Sequence, residues 1–153
     1  MDKVALYTQV QKELLSILEG EENLTARMAT VACLLAQAFP GNIWTGFYVV
    51  DPDTPQELVV GPYQGTLGCL RIPFGKGVCG TAAATGQTQL VVNVHDFPGH
   101  IACDSRSVSE IVVPVTNKAG ELIAVLDIDH PEAGQFDERD ADALWALVKV
   151  VFG

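Results

Sequence analysis

The chain has 153 residues, of which 48% are hydrophobic, so it fits one domain and is not intrinsically disordered. Nine Lys and Arg against nineteen Asp and Glu give a net charge of −10, which argues against binding to nucleic acid or to anionic membrane surfaces. Because no apolar run approaches the ~18 residues that span a bilayer and no signal peptide is visible, we expect a cytoplasmic protein whose four cysteines are reduced at rest.

Two helices are predicted in the first forty residues. The second runs from Leu24 to Phe39, with Asn23 as its N-cap and Pro40-Gly41 as its stop. The first has an apolar stripe at four-residue spacing, which faces either the core or a partner chain and consists of Leu6, Val10, Leu14 and Leu18.

From residue 42 the apolar pattern changes to period two, which indicates β-structure. Residues 42–51 and 57–60 are predicted to form a hairpin. In its first strand Trp44, Gly46 and Tyr48 share one face, so two aromatic rings flank a glycine. This pattern predicts a pocket wall with a gap in it.

The remaining chain alternates turn-rich segments with short elements. A turn-rich segment is predicted at 61–80, followed by a short helix at 81–84, a strand at 89–94 and a polar loop at 95–107. A second hairpin at 109–129 and a closing amphipathic helix at 137–152 complete the chain. Phe136 is a candidate hydrophobic staple for the last helix. The order of elements indicates an α+β fold, a single domain over residues 1–153 with a mainly antiparallel central sheet flanked by N- and C-terminal helices.

Three acids lie on the predicted second hairpin. Glu110 opens its first strand, and period two places Asp127 and Asp129 on one face of its second strand, together with Ile123 and Val125. Carboxylates in such an apolar run are unfavourable unless they are paired, hydrogen-bonded or protonated. We therefore expect the three acids to converge on a site rather than to end a strand in water.

The cysteines are the second candidate for chemistry. Cys103 and Cys69 lie in loops, away from any apolar stripe, and Cys79 lies at the mouth of a helix, where the helix dipole could favour a thiolate. Cys33, inside a helix, is expected to serve packing. The loop cysteines favour redox chemistry.

A metal site is not expected. The gaps between Cys69, Cys79 and Cys103 lack the short Cys-x-x-Cys pairs of structural zinc sites. The three histidines are scattered and are interpreted as solvated or turn-forming; they are His95, His100 and His130.

Six segments in this order closely resemble the free methionine-(R)-sulfoxide reductases, single-domain enzymes of the GAF fold. They are WTGFY at 44–48, GPYQG at 61–65, GKGVCG at 75–80, FPGHIACD at 97–104, SEIVVP at 109–114 and VLDID at 125–129. The resemblance implies reduction of free methionine (R)-sulfoxide, without cofactor or metal.

The resemblance also implies roles for the cysteines. Cys103 would be the nucleophile that attacks the sulfoxide sulfur and becomes a sulfenic acid. Cys69 would resolve it to a disulfide, which thioredoxin would reduce, and Cys79 would be accessory at most. The resemblance further implies a possible homodimer.

The remaining site residues then acquire functions. One carboxyl group among Glu110, Asp127 and Asp129 must stay protonated near pH 7 to protonate the sulfoxide oxygen, and the cluster would bind the substrate ammonium. Trp44 and Tyr48 suit the S-methyl group. The α-carboxylate would meet the backbone N–H groups of Ile101, Ala102 and Cys103.

Two other functions remain possible from the sequence. A GAF domain can serve as a non-catalytic sensor of small ligands, and a reactive Cys103 could belong to a thiol peroxidase. A sensor would bind its ligand without oxidising Cys103. A peroxidase would accept peroxide and would have no use for three clustered acids.

Overall fold

Four α-helices, a short 3-10 helix and six β-strands form the part of the chain that the computed structural model describes, residues 1–100 and 105–153. The helices are α1 (Lys3–Ile17), α2 (Leu24–Ala38), α3 (Gly77–Thr85) and α4 (Glu138–Phe152), and the 3-10 helix spans Val94–Asp96. The strands are β1 (Trp44–Asp51), β2 (Thr54–Gly65), β3 (Arg71–Pro73), β4 (Gln89–Val91), β5 (Ser109–Thr116) and β6 (Leu122–His130). The predicted α+β class is confirmed.

The strands form one sheet in the order β3-β2-β1-β6-β5-β4, and each neighbouring pair is antiparallel. Both predicted hairpins are confirmed, as β1–β2 and β5–β6. The first strand of one hairpin pairs with the second strand of the other, so β1 and β6 lie at the centre of the sheet.

Side-chain caps fix where three of the helices begin. Asp2 caps α1 by accepting a hydrogen bond from the backbone N–H of Ala5, and Asn23 caps α2, as predicted, through Ala26. At α4, Asp137 and Asp140 form a reciprocal capping box. These residues satisfy backbone N–H groups that the first turn of a helix leaves without partners.

The main core lies between one face of the sheet and helices α1, α2 and α4. Val10, Leu14 and Leu18 of the apolar stripe are buried in it, so the stripe faces the core of its own chain rather than a partner. Phe136 is buried in the same cluster, next to the start of α4. The sheet contributes to this core through Phe47, Ile111, Val113, Val115, Ala124, Leu126 and Ile128.

The opposite face of the sheet carries a smaller cluster under α3 and the neighbouring loops. Here the turn-rich interpretation of residues 61–80 is wrong in part, because β2 continues to Gly65 and β3 follows it. The β1–β2 register shifts between Gly46 and Tyr48, so that Gly61 and Pro62 sit at an irregularity of the ladder. Proline, which has no backbone N–H, is tolerated at such an irregularity because the position does not have to donate a hydrogen bond to the neighbouring strand.

A second irregularity corrects the predicted faces of β6. Val115 pairs with Ala124 and Thr116 pairs with Leu122, so Ile123 is an extra residue in the ladder. Ile123 consequently packs against the helix-side core, not on the face of Asp127 and Val125.

Among the described residues, no helix has the length and apolarity needed to cross a membrane.

Candidate functional site

A pocket opens on the sheet face opposite α1, α2 and α4. Its walls come from β1, β5, β6, the start of α3 and the loop between β2 and β3. The enclosed cavity has a volume of about 40 Å³, and the rest of the pocket is open to solvent. The predicted residues Trp44, Tyr48, Cys79, Glu110, Asp127 and Asp129 all line it.

Strand register brings the three acids together. Asp129 pairs with Trp44 of β1 on one side and with Glu110 of β5 on the other, so these three residues form one row across the sheet. Asp127, two residues before Asp129, lies in the next row beside Gly46 and on the same face. The strand register therefore brings Glu110, Asp127 and Asp129 together, as predicted.

All three acids are buried, with exposed fractions of 6% for Glu110, 4% for Asp127 and 8% for Asp129. Burial, together with the nearby charge of Asp127, raises the pKa of Glu110 well above its usual value. Burial and the charge of Asp129 raise the pKa of Asp127 in the same way. A cluster of this kind retains protons at pH values at which exposed carboxyl groups have lost them.

Cys79 belongs to the same cluster, and its predicted thiolate is wrong. Its Sγ lies 3.9 Å from Oε2 of Glu110 and is buried. Burial and the charges of Asp127, Glu110 and Asp129 raise the pKa of this thiol well above its usual value. These effects oppose the helix dipole, so Cys79 is held as a neutral thiol.

An aromatic stack forms the other wall. The ring of Trp44 stacks on Tyr48, with centroids 5.2 Å apart, and on Tyr63 of β2, with centroids 4.9 Å apart. The predicted gap beside Gly46 is absent, because a Cβ at Gly46 would lie only 2.1 Å from the Cβ of Tyr63. Glycine is required at this position so that Tyr63 can cross it.

The loop between β2 and β3 lies against these rings. A Cβ on Gly68 would be 2.8 Å from the Tyr48 hydroxyl and 3.1 Å from Nε1 of Trp44, so only glycine fits this close approach. The backbone N–H of Cys69 donates to the Tyr48 hydroxyl. The loop backbone is thereby fixed at the mouth of the pocket.

The described cysteines differ in state. Cys33 and Cys79 are free thiols, whereas Cys69 is disulfide-bonded and half-buried. Three further predicted site residues lie outside the described residues; they are Ile101, Ala102 and Cys103.

Three buried side-chain atoms lack a hydrogen-bond partner among the described residues: Nε1 of Trp44, Nδ1 of His100 and Oδ1 of Asp127. All three residues line the pocket. His100 is turn-forming, as predicted, because its backbone N–H donates to the carbonyl of Phe97 at 3.2 Å, but its Nδ1 is buried in the pocket rather than solvated. Burial lowers the pKa of its imidazole. Since buried polar atoms are normally paired, these three atoms indicate where a ligand would bind.

A cation is one ligand that the cluster could hold. Single ligand atoms of Cys79, Glu110 and Asp127 lie within 4.8 Å of one another. The carboxyl groups of the cluster, where they are ionised, would equally accept an organic ammonium group.

Sequence reasoning missed several lining residues. Ser107, Ile72 and Lys76 carry no pattern that marks them as pocket residues, and Gly68 and Leu67 belong to a loop predicted only as turn-rich. A usable signal was present for His100, which lies in the FPGHIACD segment beside Cys103.

Comparison with known proteins places this geometry in a family. The sequence profile of the GAF domain matches residues 23–151. The chain is 43% identical to the free methionine-R-sulfoxide reductase of Escherichia coli over 148 residues, which cover 97% of this chain and 87% of the relative.

Two solved structures are similar in both fold and sequence. The free methionine-R-sulfoxide reductase of Neisseria meningitidis in complex with its substrate is 48% identical, with a TM-score of 0.93 over 99% of this chain and 89% of that one. A putative GAF sensor protein from Burkholderia vietnamiensis is 47% identical, also with a TM-score of 0.93, over 99% of this chain and 94% of that one.

Proposed function

Because the chain belongs to the GAF domain family and to its free methionine-R-sulfoxide reductases, we propose that it reduces free L-methionine (R)-sulfoxide to methionine. The substrate of the relatives and the chemistry of the pocket support the same reaction. We further propose that the reaction uses Cys103 and Cys69 and no cofactor or metal.

The observation that carries this proposal is the set of three unpartnered polar atoms in one pocket. Nε1 of Trp44 can only donate a hydrogen bond and Oδ1 of Asp127, when ionised, can only accept one, whereas Nδ1 of His100 does either according to its tautomer. A free amino acid carrying a sulfoxide offers an ammonium donor, a carboxylate and a further acceptor oxygen. Such a ligand can satisfy donors and acceptors in the same pocket.

The acid cluster supports selection of a free amino acid. We propose that Glu110, Asp127 and Asp129 bind the substrate ammonium, whose charge offsets the repulsion among their carboxylates. A methionine inside a peptide has no ammonium group at this position, so it would leave the buried acids without a partner. The cost of such unpaired buried groups is a general source of strong substrate discrimination.

The other groups of the substrate have fitting neighbours. The S-methyl group suits the aromatic wall of Trp44 and Tyr48, which offers dispersion and sulfur–ring contacts. For the α-carboxylate we propose the backbone N–H groups of Ile101, Ala102 and Cys103, on the basis of the resemblance.

The proposed reaction transfers oxygen from one sulfur to another. The Cys103 thiolate attacks the sulfoxide sulfur while a protonated acid of the cluster gives its proton to the oxygen. The protonated oxygen then leaves the substrate sulfur and bonds to the Cys103 sulfur, while the new S–S bond breaks and its electron pair goes to the departing methionine. Cys103 becomes a sulfenic acid, so sulfur is reduced in the substrate and oxidised in the enzyme. The raised pKa of Glu110 and of Asp127 supports a retained proton near neutral pH.

The proposed second half regenerates the thiol. Cys69 attacks the Cys103 sulfenic acid, forming a disulfide and releasing water, and thioredoxin then reduces that disulfide. The disulfide-bonded state of Cys69 supports its proposed resolving role. Cys79 is proposed to be accessory, because its raised pKa makes it a poor nucleophile beside three acids.

The test supplies both epimers of free methionine sulfoxide in a thioredoxin-coupled assay. Loss of the R epimer alone is expected; a sensor would consume neither, and a peroxidase would prefer peroxide. Cys103→Ser should abolish methionine formation, and Cys69→Ser should release one equivalent and then stop with thioredoxin. Cys33→Ser is the matched control and should keep full activity, since Cys33 lies on α2, away from the pocket. Full activity in Cys103→Ser would refute the proposed nucleophile.

We also propose that the chain works in the cytoplasm and forms a homodimer. A transient catalytic disulfide fits the reducing cytoplasm. A homodimer is proposed from the resemblance, although the apolar stripe of α1 cannot form it because that stripe is buried within its own chain. Sedimentation equilibrium of the purified chain would test the dimer.

A further inference from the structure

Two leucines on either side of Cys69 are unusually exposed. Leu67 is 77% exposed and Leu70 is 71% exposed, although both belong to the short loop that carries the disulfide-bonded cysteine. A large apolar side chain left in water gains free energy when a partner covers it.

The loop geometry forces this exposure. Gly68 lies against Trp44 and Tyr48, and the backbone N–H of Cys69 donates to the Tyr48 hydroxyl. The carbonyl of Leu70 accepts a hydrogen bond of 2.9 Å from the backbone N–H of Val60. Because these inward contacts hold the middle and the end of the loop, the side chains of residues 67 and 70 remain outside.

The surrounding charge distribution is also unusual. No Asp or Glu occurs from residue 58 to residue 95, so all nineteen acids of a chain with net charge −10 lie elsewhere in the sequence. The only charged residues in that stretch are Arg71 and Lys76, and Arg71 is paired with Asp51 at 2.5 Å. The segment therefore adds no negative charge of its own beside Cys69, and the acids that approach it, Asp51 and Glu57, face Arg71 at 2.5 Å and 3.5 Å.

We propose that Leu67 and Leu70 form the docking surface for a dithiol protein that reduces the Cys69 disulfide. The proposal rests on the proposed function, which generates that disulfide in each turnover. The partner has an apolar surface around its dithiol and is neutral or acidic, in keeping with the acid-free segment.

The exchange reaction explains why the surface must be here. A thiolate of the partner attacks Sγ of Cys69, forms a mixed disulfide and displaces the Cys103 sulfur, which leaves with the electron pair and takes a proton. The second thiol of the partner then attacks its own first sulfur and releases Cys69 as a thiol. Two electrons pass from the partner to the enzyme, and bond formation at Cys69 requires the partner to cover the adjacent residues.

Leu70→Ser is the principal test, because Leu70, unlike Leu67, does not line the pocket. With a thioredoxin-type protein as reductant, KM for that protein is expected to rise about tenfold, in line with the loss of one apolar contact at an interface. With dithiothreitol, which is too small to need the surface, turnover should be unchanged. Leu70→Met keeps an apolar side chain and should retain the original KM.

Leu24→Ser is the matched control, since Leu24 is an exposed leucine at the start of α2. It should leave KM for the protein reductant unchanged. An unchanged KM in Leu70→Ser, an equal rise in Leu24→Ser, or an equal loss with dithiothreitol would each overturn the proposed docking surface.

A direct measurement separates this proposal from the proposed function. Diamide, a thiol oxidant, can form the Cys69 disulfide without any sulfoxide. After the diamide is removed, reduction of that disulfide by the protein reductant can be followed by the loss of the intramolecular disulfide. Slower reduction in Leu70→Ser supports docking even if no sulfoxide is turned over. Equal rates of disulfide reduction in the wild-type chain and in Leu70→Ser would overturn the docking surface. The proposed function would still be tested independently by the release of methionine.

Discussion

Glu110 lies on β5 directly opposite Asp129 of β6, and its carboxyl group also interacts with Asp127 in the next row of the sheet. It also lies 3.9 Å from the Cys79 thiol. Because burial raises its pKa, this carboxyl group combines a retained proton with a position at the pocket surface. At the scale of single residues, the proposed proton supply and the proposed ammonium binding therefore depend on the same few side chains.

Replacing Glu110 with Gln should lower kcat by about 10²- to 10³-fold, the usual contribution of a positioned acid. Wild-type activity should fall as pH rises through the raised pKa of the cluster, because the proton donor is lost, and Glu110→Gln should alter that alkaline limb. The measurement is the pH dependence of kcat with free methionine (R)-sulfoxide. Glu132→Gln, at an exposed position, is the control and should keep the wild-type pH profile. An unchanged pH profile in Glu110→Gln would show that Glu110 is not the proton donor.

The same carboxyl groups make stability depend on pH. The pKa of Glu110 and the pKa of Asp127 are raised in the folded state, so the native chain binds more protons than the unfolded chain above their ordinary values. Their contribution is complete below those ordinary values and is lost as pH rises through the folded pKa.

Urea unfolding should consequently show lower stability at about pH 8 than at about pH 5, and a flatter dependence in Glu110→Gln. Asp137, whose pKa is lowered to about 2, remains ionised over this interval and does not contribute to the change. Equal slopes in both proteins would contradict the buried, protonated state of Glu110.

At the scale of elements, α1 and α4 are joined through one buried carboxylate. Asp140 is 1% exposed, accepts a hydrogen bond of 2.5 Å from the Tyr7 hydroxyl and pairs with Lys3 at 2.6 Å. It also accepts from the backbone N–H of Asp137 in the capping box. The N-terminal helix is thus held to the start of the last helix.

Asp140→Asn should lower the free energy of unfolding by about 2–3 kcal/mol, because it weakens a buried, charge-assisted network. Tyr7→Phe, which removes only one hydrogen bond, should lower it by about 1 kcal/mol. Asp142→Asn, at an exposed position of the same helix, is the control. Equal urea midpoints for Asp140→Asn and Asp142→Asn would show that the network does not stabilise the chain.

Helices and hairpins were predictable where one periodicity ran without interruption. The caps and apolar stripes of α1, α2 and α4 are local signals, and the hairpin β5–β6 has a turn-rich tetrapeptide between two apolar runs. By contrast, β3 has only three residues, and β2 contains Gly61 and Pro62, which are typical of turns until a neighbouring strand provides an irregular ladder. Tertiary pairing decided those elements.

The candidate site shows the same division. Glu110, Asp127 and Asp129 were predictable because acids within apolar strands conflict with their surroundings. The local pattern around His100 does not distinguish a loop histidine that lines a pocket from one in water, and only its place in the FPGHIACD segment marks it. The state of Cys79 was mispredicted because its pKa depends on carboxylates that are more than thirty residues away in sequence.

At the scale of the whole molecule, charge and chemistry are unevenly distributed. The chain has a net charge of −10, yet its acid-free segment includes Cys69 and the start of α3. Long-range repulsion is set by the whole charge, whereas contact is made at one face.

The rate of disulfide reduction by a negatively charged dithiol protein should therefore rise as salt increases from about 20 mM to about 150 mM, because screening weakens the repulsion. Reduction by dithiothreitol, which is uncharged at neutral pH, should remain constant and serves as the control. Stopped-flow measurement of the oxidised chain would check this. A protein-dependent rate that falls with salt would instead indicate attraction between the two surfaces.

The pairing of Trp44, Asp129 and Glu110 across three strands has a consequence for how the chain reaches its native state. Had β6 slid by a single residue, Asp127 and Asp129 would face the apolar core beneath α1, α2 and α4, where buried carboxyl groups are unfavourable. A misaligned sheet is therefore destabilised by the same acids that we propose for the reaction. The acids proposed to act in catalysis therefore also favour one strand alignment, and a variant lacking them should lose selectivity for that alignment.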